Sequence, residues 1–392
     1  MKSSSSSRIS SIDFLRGLVM IIMALDHVRD YFHYDAFFYD ATDLSQSNEI
    51  LFFTRWITHF CAPVFVFLAG TSAYFVGKRK GKSALSNWLV KRGIWLVIVE
   101  LTIIKFAWNF KLDYSVNTLQ VIWALGISMI VLAVFIHLPK KWCILICVIG
   151  IAIHNAFDGI SFSNEMISGI WIFLHKFQPI AISDIQFFVA YPLIPWIFLM
   201  PLGYHIGSLY SPEVSKSKRF KDLLILGIVT SLSFILIRSL NLYGDPYHWE
   251  AMDNLSFTIL SFLNLTKYPP SLLYLMMTIG PSIILLAFAE KWRGRIFDGV
   301  VVIGRVPMFY YIVHIYVIHF IALFTAKFQG FEWSDMQITL WVTLEPQLQG
   351  YGFNLWVVYL IWILLLIGLY PVCVWYYNYK SNNRQKWWLS YF

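Results

Sequence analysis

Residues Leu355–Tyr376 read LWVVYLIWILLLIGLYPVCVWY, an apolar run without one acid or base, and Lys380, Arg384 and Lys386 follow it. About 20 such residues in a helix cross the roughly 30 Å hydrocarbon core of a bilayer. The run reads as a membrane span, near 351–376, with its basic end in the cytoplasm. The whole chain shares this character. Hydrophobic residues make up 58% of the 392 positions, charged residues 13%, and the mean hydropathy is +0.63. Soluble chains are about 45–50% apolar and about 25% charged. A water-soluble protein of two or three domains is excluded.

Nine further stretches read as spans, near 12–32, 52–76, 93–110, 114–137, 142–157, 187–209, 222–243, 268–289 and 300–322. The expected fold is an all-α, polytopic bundle of about ten transmembrane helices. Its segments are a cytoplasmic tail 1–11, a transmembrane domain 12–378 and a cytoplasmic tail 379–392. Of 30 Lys and Arg, 20 fall into six clusters: Lys2 and Arg8; Lys78 to Arg92; Lys140 and Lys141; Lys216 to Lys221; Lys291 to Arg295; and Lys380 to Lys386. Two apolar stretches separate successive clusters, so all six fall on one face, and both termini are cytoplasmic. The net charge of +8 is thereby a topology signal and not a nucleic-acid footprint. Met166–Leu174 and Met336–Leu344 are too short to cross and read as interfacial. Trp387, Trp388 and Tyr391 read as an interfacial aromatic belt. Cys61, Cys143, Cys147 and Cys373 all lie in apolar stretches, with no disulfide framework or zinc spacing. No cleavable signal follows the serine run Ser3–Ser7. The location implied is an inner membrane, multi-pass.

The chemistry lies in charges that a bilayer disfavours. Arg16, Arg29, Arg55, Lys105, Arg238, Lys267 and Arg305 fall inside spans or at their ends. Each mid-helix charge costs about 2.5–3.5 kcal/mol on insertion scales, so such residues face a bundle interior or a wet cavity. His27 stands eleven residues beyond Arg16, roughly 16 Å along a helix. Arg16 is thus near the cytoplasmic face and His27 in the outer half. Asp26, Arg29 and Asp30 share its depth, as do Arg55 and His59, spaced i, i+4. Glu100 lies near the middle of the third span, and Arg238 in the outer half of the seventh. Lys267 and Tyr268 open the eighth; Tyr310, Tyr311 and His314 lie in the outer half of the ninth. Acids, bases and imidazoles from at least five helices meet at one depth, which implies a polar cavity open to the outside.

Plainer readings exist for each. Arg29 and Asp30 suit an interface, and Arg55, Glu100 and Arg238 suit structural ion pairs. His137, His154, His205 and His319 read as packing residues. His27, His59 and His314 differ in keeping company with carboxylates and guanidinium groups, and imidazole suits general-base work. At the inner helix ends Arg16, Arg92 and Arg305 suit a phosphorylated ligand, although positive-inside anchoring also explains such residues. No Walker or dinucleotide motif is present.

Ser11-Ile12-Asp13-Phe14-Leu15-Arg16-Gly17, leading into an apolar helix, resembles the opening of the transmembrane acyltransferases. Leu25-Asp26-His27-Val28-Arg29-Asp30 and Ala62-Pro63-Val64-Phe65-Val66-Phe67-Leu68-Ala69-Gly70-Thr71-Ser72 extend the likeness to the heparan-alpha-glucosaminide N-acetyltransferase catalytic-domain family. Lys267-Tyr268-Pro269-Pro270-Ser271 and Tyr310-Tyr311-Ile312-Val313-His314 look like its bacterial branch. The resemblance implies acetyl-CoA, or another acyl-CoA, as donor from the cytoplasm. It also implies a sugar amine or hydroxyl as acceptor on the far side, and a reaction centre inside the membrane. Where the family has an active-site Asn on the first helix, this chain places His27. His59 replaces a family Asp, and His33 is nearest to an outer-loop His.

The combined expectation is an acyl-CoA-dependent transmembrane acyltransferase acting on a glycan or amino sugar. His27 or His59 would be the base, oriented by Asp26 or Glu100, with His314 beside them. Arg55 or Arg238 would face the oxyanion. Arg29, Lys267, Tyr268 and Tyr311 would bind the acceptor, and Arg16, Arg92 and Arg305 the CoA phosphates. No metal is expected; the partners are lipid, donor and acceptor, with homo-oligomerisation open. The competing readings are a transporter or channel for a polar or anionic solute, and a catalytically inactive relative. An inverted repeat of the transporter kind is not evident.

Overall fold

The computed structural model describes residues 9–339 and 341–390. The serine run, Lys2, Arg8 and Tyr391 lie outside them, as does Leu340 within the expected interfacial stretch 336–344. The protein is a helical membrane protein. Six described helical segments are long and apolar enough to cross a bilayer: Glu49–Lys80, Lys140–Phe157, Lys216–Leu240, Leu272–Ala289, Pro307–Phe328 and Leu355–Asn382. Their outward faces suit lipid. On Lys216–Leu240 the exposed side chains include Ile225, Val229, Leu232 and Leu236, spaced as one helical stripe.

Among the described residues fifteen α-helices follow one another: α1 Ser10–Phe32, α2 Glu49–Trp56, α3 Cys61–Lys80, α4 Lys82–Val99, α5 Lys105–Asn109, α6 Val121–Phe135, α7 Lys140–Ile153, α8 Glu165–His175, α9 Trp196–Ile206, α10 Lys216–Leu240, α11 Leu255–Leu263, α12 Leu272–Ala289, α13 Arg295–Arg305, α14 Pro307–Phe328 and α15 Leu355–Asn382. Side-chain caps set several starts. Asn48, Asn164, Ser215, Asn254, Ser271 and Asn354 each accept a backbone N–H three residues on, satisfying a donor that the helix leaves open.

Several boundaries differ from the sequence reading. The stretch between the expected spans 52–76 and 93–110 is helical except at Gly81, whose φ of 80° breaks α3 from α4. Lys91 and Arg92 therefore sit on α4. A π-helical turn, Glu100–Ile104, joins α4 to α5. The expected spans 114–137 and 187–209 begin as strands. Val116–Leu119 (β1), Gln178–Ile182 (β2) and Ile185–Val189 (β3) form a sheet in the order β1-β3-β2. β1 runs parallel to β3, with Val116 opposite Gln186, and β2 with β3 makes an antiparallel hairpin. The apolar alternation of these strands was absorbed into the hydropathy of the neighbouring helices.

Helix α1 is the buried axis. Sixteen of its residues are buried, and small residues let its neighbours close in. A Cβ at Gly17 would lie 2.0 Å from the Val300 carbonyl oxygen, and one at Gly304 would lie 1.8 Å from that of Asp13. Glycine is required at both positions for α1 and α13 to touch backbone to backbone. This contact brings Arg16 and Arg305 together.

Candidate functional site

One stripe of α1 passes through three adjoining cavities. Residues 16, 20, 23, 27 and 30 follow alternating steps of four and three, so they share a helix face. Arg16, Met20 and Met23 line a vestibule of about 1830 Å³. Met23, His27 and Asp30, with Asp26 beside them, line a central cavity of about 80 Å³. Arg29, Asp30 and His33 border a third, smaller cleft of about 20 Å³. Met23, Phe65, Val121 and Tyr311 belong to the walls of both vestibule and central cavity. Asp30, Arg55, Trp341 and Val342 are shared by central cavity and cleft.

The vestibule is cationic. Lys78, Arg79, Arg92, Lys216, Arg219, Arg293, Arg305, Lys380 and Arg384 line it. Four of the six sequence clusters are thus gathered at one mouth. Its inner wall is ordered by Asp13, which takes Arg16 Nη1 at 3.0 Å and stands 3.5 Å from Arg305 Nε. Arg16 also donates to Ser72 Oγ at 2.7 Å, and Arg305 to the Tyr377 hydroxyl at 2.9 Å. Arg92 lies over the Trp88 ring, 5.4 Å from its centroid.

A histidine pair reaches the central cavity through His27, which lies on its wall, while His314 is buried behind it. His27 Nδ1 and His314 Nε2 are 2.7 Å apart, with the rings nearly parallel. His314 Nδ1 lies 2.8 Å from the Tyr310 carbonyl oxygen. A carbonyl only accepts, so His314 Nδ1 carries hydrogen and, in neutral rings, its Nε2 is bare. That nitrogen must accept from His27 Nδ1–H, which leaves His27 Nε2 without a proton. The tautomers are thus assigned from the hydrogen-bond partners. His27 Nε2 has no hydrogen bond among the described residues, and Trp108 meets the ring edge-on at 4.9 Å.

Beside the pair is a charge network. Asp26 Oδ2 accepts from Arg55 Nη1 at 2.5 Å, and its Oδ1 lies 3.1 Å from Arg29 Nη2. Arg29 also donates to Asp30 at 2.5 Å, and Lys267 Nζ is 3.9 Å from Asp26. Tyr268 and Tyr311 complete the wall. Phe177 stacks on Tyr268 at 5.1 Å, and Trp341 meets it edge-on at 5.5 Å.

The structure therefore brings together Asp26, His27, Arg55, Lys267, Tyr268 and Tyr311 on the wall of one cavity, with His314 buried behind His27 and Arg29 on the adjoining cleft, and Arg16, Arg92 and Arg305 at the vestibule. Three other expected site residues fall elsewhere. Glu100 accepts the Trp123 backbone N–H at 2.9 Å, capping α6 instead of orienting a base. His59 lies in the tight turn Ile57–Phe60, packs edge-on against Tyr274 at 5.4 Å, and is not on the cavity wall. Arg238 donates to the backbone oxygens of Tyr247, Ser261, Phe262 and Asn264 at 2.8–3.0 Å, pinning the 241–268 segment. Sequence reasoning missed Trp108, Gln120, Tyr191 and Trp341 as wall residues. Gln120 alone carried a signal, a polar side chain heading the apolar run of α6. Asp13 appeared only within the family-like motif, although its burial beside two arginines makes it the organiser of the vestibule wall.

The profile of the heparan-alpha-glucosaminide N-acetyltransferase catalytic family matches residues 8–244, more than half of the chain, and the protein belongs to that family. A search of curated protein sequences finds no match. The matched region holds α1 to α10 and thus His27, Asp26, Arg29 and Arg55. Lys267, Arg305, Tyr311, His314 and Trp341 enter the site from the remainder.

Proposed function

We propose that this family member transfers an acyl group, acetyl by family likeness, from cytoplasmic acyl-CoA to a carbohydrate hydroxyl or amine beyond the membrane. The observation that carries this reading is the run of three cavities along one face of α1, with the bare His27 Nε2 in the middle one. The vestibule fits the donor: its cations suit a polyphosphate, and Arg16, Arg92 and Arg305 stand where the nucleotide end would rest. A pantetheine arm is long enough to pass Met23 and Tyr311 toward His27.

In the proposed reaction His27 Nε2 takes the proton of the acceptor O–H or N–H as that atom bonds to the thioester carbon. The tetrahedral adduct then expels the thiolate, which receives the same proton from His27. His314 holds His27 in the required tautomer, and Asp26 lies close enough to favour the transient imidazolium. The mixed polar wall around Tyr268 and Trp341 would receive the acceptor. The same proposal includes ten spans with both termini and the basic clusters in the cytoplasm, an inner-membrane location and a transmembrane domain 12–378.

Sealed vesicles of known orientation test the two-sided route. Acyl-CoA given on the face bearing the basic vestibule should support transfer to an acceptor on the other face. Equal transfer with acyl-CoA given only on the acceptor side would overturn the reading. Movement of intact donor or solute without acyl transfer would favour the transporter alternative.

A further inference from the structure

Lys267 differs from the other cations around the central cavity. It is 9% exposed and forms part of the cavity wall. A buried charge is costly unless it is paired and hydrogen-bonded. Arg55 and Arg29 are both, through Asp26 and Asp30. Because Asp26 already serves two guanidinium groups, Lys267 reaches it only at 3.9 Å, beyond hydrogen-bond length. Nζ also lies 5.2 Å from the Tyr268 ring centroid. The cavity therefore contains a positive charge that is only distantly paired and makes no hydrogen bond among the described residues.

Acyl transfer supplies a negative partner for an instant. Bonding of the acceptor to the thioester carbon places a full negative charge on the carbonyl oxygen, and a fixed cation in a dry site stabilises it strongly. Arg55 is held by Asp26, and Arg238 is spent on four backbone carbonyls. We propose that Lys267 is the oxyanion-stabilising catalytic residue. Its ammonium keeps all its protons, pairs with the oxyanion as the new bond forms, and is released when the C–S bond breaks. This rests on the acyl-transfer reading above.

The test uses the full-length protein in lipid nanodiscs, acetyl-CoA, and glucose, glucosamine and glucuronate as acceptors. Lys267→Met should lower kcat about 10²–10³-fold and leave both KM values within about twofold. Lys267→Arg should restore at least about a tenth of wild-type kcat, since charge is the requirement. The melting temperature of Lys267→Met should equal or exceed that of wild type, because an underpaired buried charge is removed; a structural ion pair would give a drop. If the Met variant is not recovered, Lys267→Gln is read by the same kcat criterion. Retained kcat in the neutral variant overturns the proposal. So does a raised acceptor KM at unchanged kcat, which would make Lys267 a binder of a standing anion on the acceptor. A wild-type protein inert toward acetyl-CoA with every acceptor would instead bring down the acyl-transfer reading, and this proposal with it.

Discussion

The two ends of helix α1 solve opposite problems. At the Arg16 end the protein opens into about 1830 Å³ lined by cations from six helices. At the Asp30 end only about 20 Å³ remains, enclosed by ion pairs and by Trp341. A wide, wet, basic mouth selects by long-range charge and suits a large polyanion. A narrow cleft of interlocked acids and guanidinium groups selects by local hydrogen bonding and suits a small polar group. Between them, the histidine pair touches neither extreme. Binding and chemistry are thereby assigned to different depths of one helix, and each assignment can be broken separately.

The largest effect should come from the middle. His27→Ala removes the bare Nε2, and loss of a general base typically costs about 10²–10⁴-fold in rate. Donor KM should stay near wild type, because the vestibule is untouched. His314→Ala should fall short of that loss, since it frees the tautomer without deleting the base, and His314→Gln should recover part of the rate through an amide oxygen that accepts from His27 Nδ1–H. Steady-state kinetics on protein of normal expression checks this. Full activity in His27→Ala would remove the central cavity from the mechanism.

Next in size is a separation at the vestibule. Arg305→Gln should raise the acyl-CoA KM about tenfold, the loss of one charge-assisted phosphate contact, with kcat and acceptor KM little changed. Arg305 also holds the Tyr377 hydroxyl and lies near Asp13, so Arg92→Gln, on α4 over Trp88, serves as the independent variant. If either lowered kcat with KM unchanged, the division between the two ends of α1 would be wrong.

The pattern of success in reading the sequence follows from geometry. Distance along a helix is fixed by 1.5 Å per residue, so the spacing of Arg16, His27 and Asp30 along α1 was legible. The direction a side chain takes from its helix depends on local winding and on the neighbour it meets. Glu100 begins a π-helical turn, where the rotation per residue changes, and it swings to the Trp123 N–H. His59 sits in the tight turn between α2 and α3 and rotates away from the cavity that Arg55, four residues earlier, lines. Arg238 lies away from the cavity for a different reason, which Lys105 shares. Segments that leave a helix present unpaired carbonyl groups, and a buried cation satisfies several at once. Lys105 bonds the Val116 carbonyl at 2.7 Å and Asn117 Oδ1 at 2.9 Å, fastening β1 to α5. Hydropathy alone cannot distinguish such a fastener from a catalyst. Trp341 was invisible because it reaches the cavity from a loop of no regular pattern.

The smallest effect expected is a response to salt, and it addresses the comparison most directly. Charges exposed to solvent are screened over a Debye length of about 10 Å at 0.1 M and about 3 Å at 1 M. Lys78, Arg79, Lys216, Arg293 and Arg384 of the vestibule are exposed, so the pull of this mouth on a polyphosphate should weaken as salt rises. Asp26, Arg29 and Arg55 at the other end are 8%, 6% and 4% exposed, and bulk ions screen such pairs far less. Raising ionic strength from about 0.05 M to about 0.5 M should therefore increase the acyl-CoA KM several-fold while the acceptor KM moves by less than about twofold. The same titration on Arg92→Gln should give a shallower slope, because one screened contact is already missing. Parallel salt dependence of both KM values would mean that the narrow end is as solvent-coupled as the wide one, and that both substrates approach through the same basic mouth.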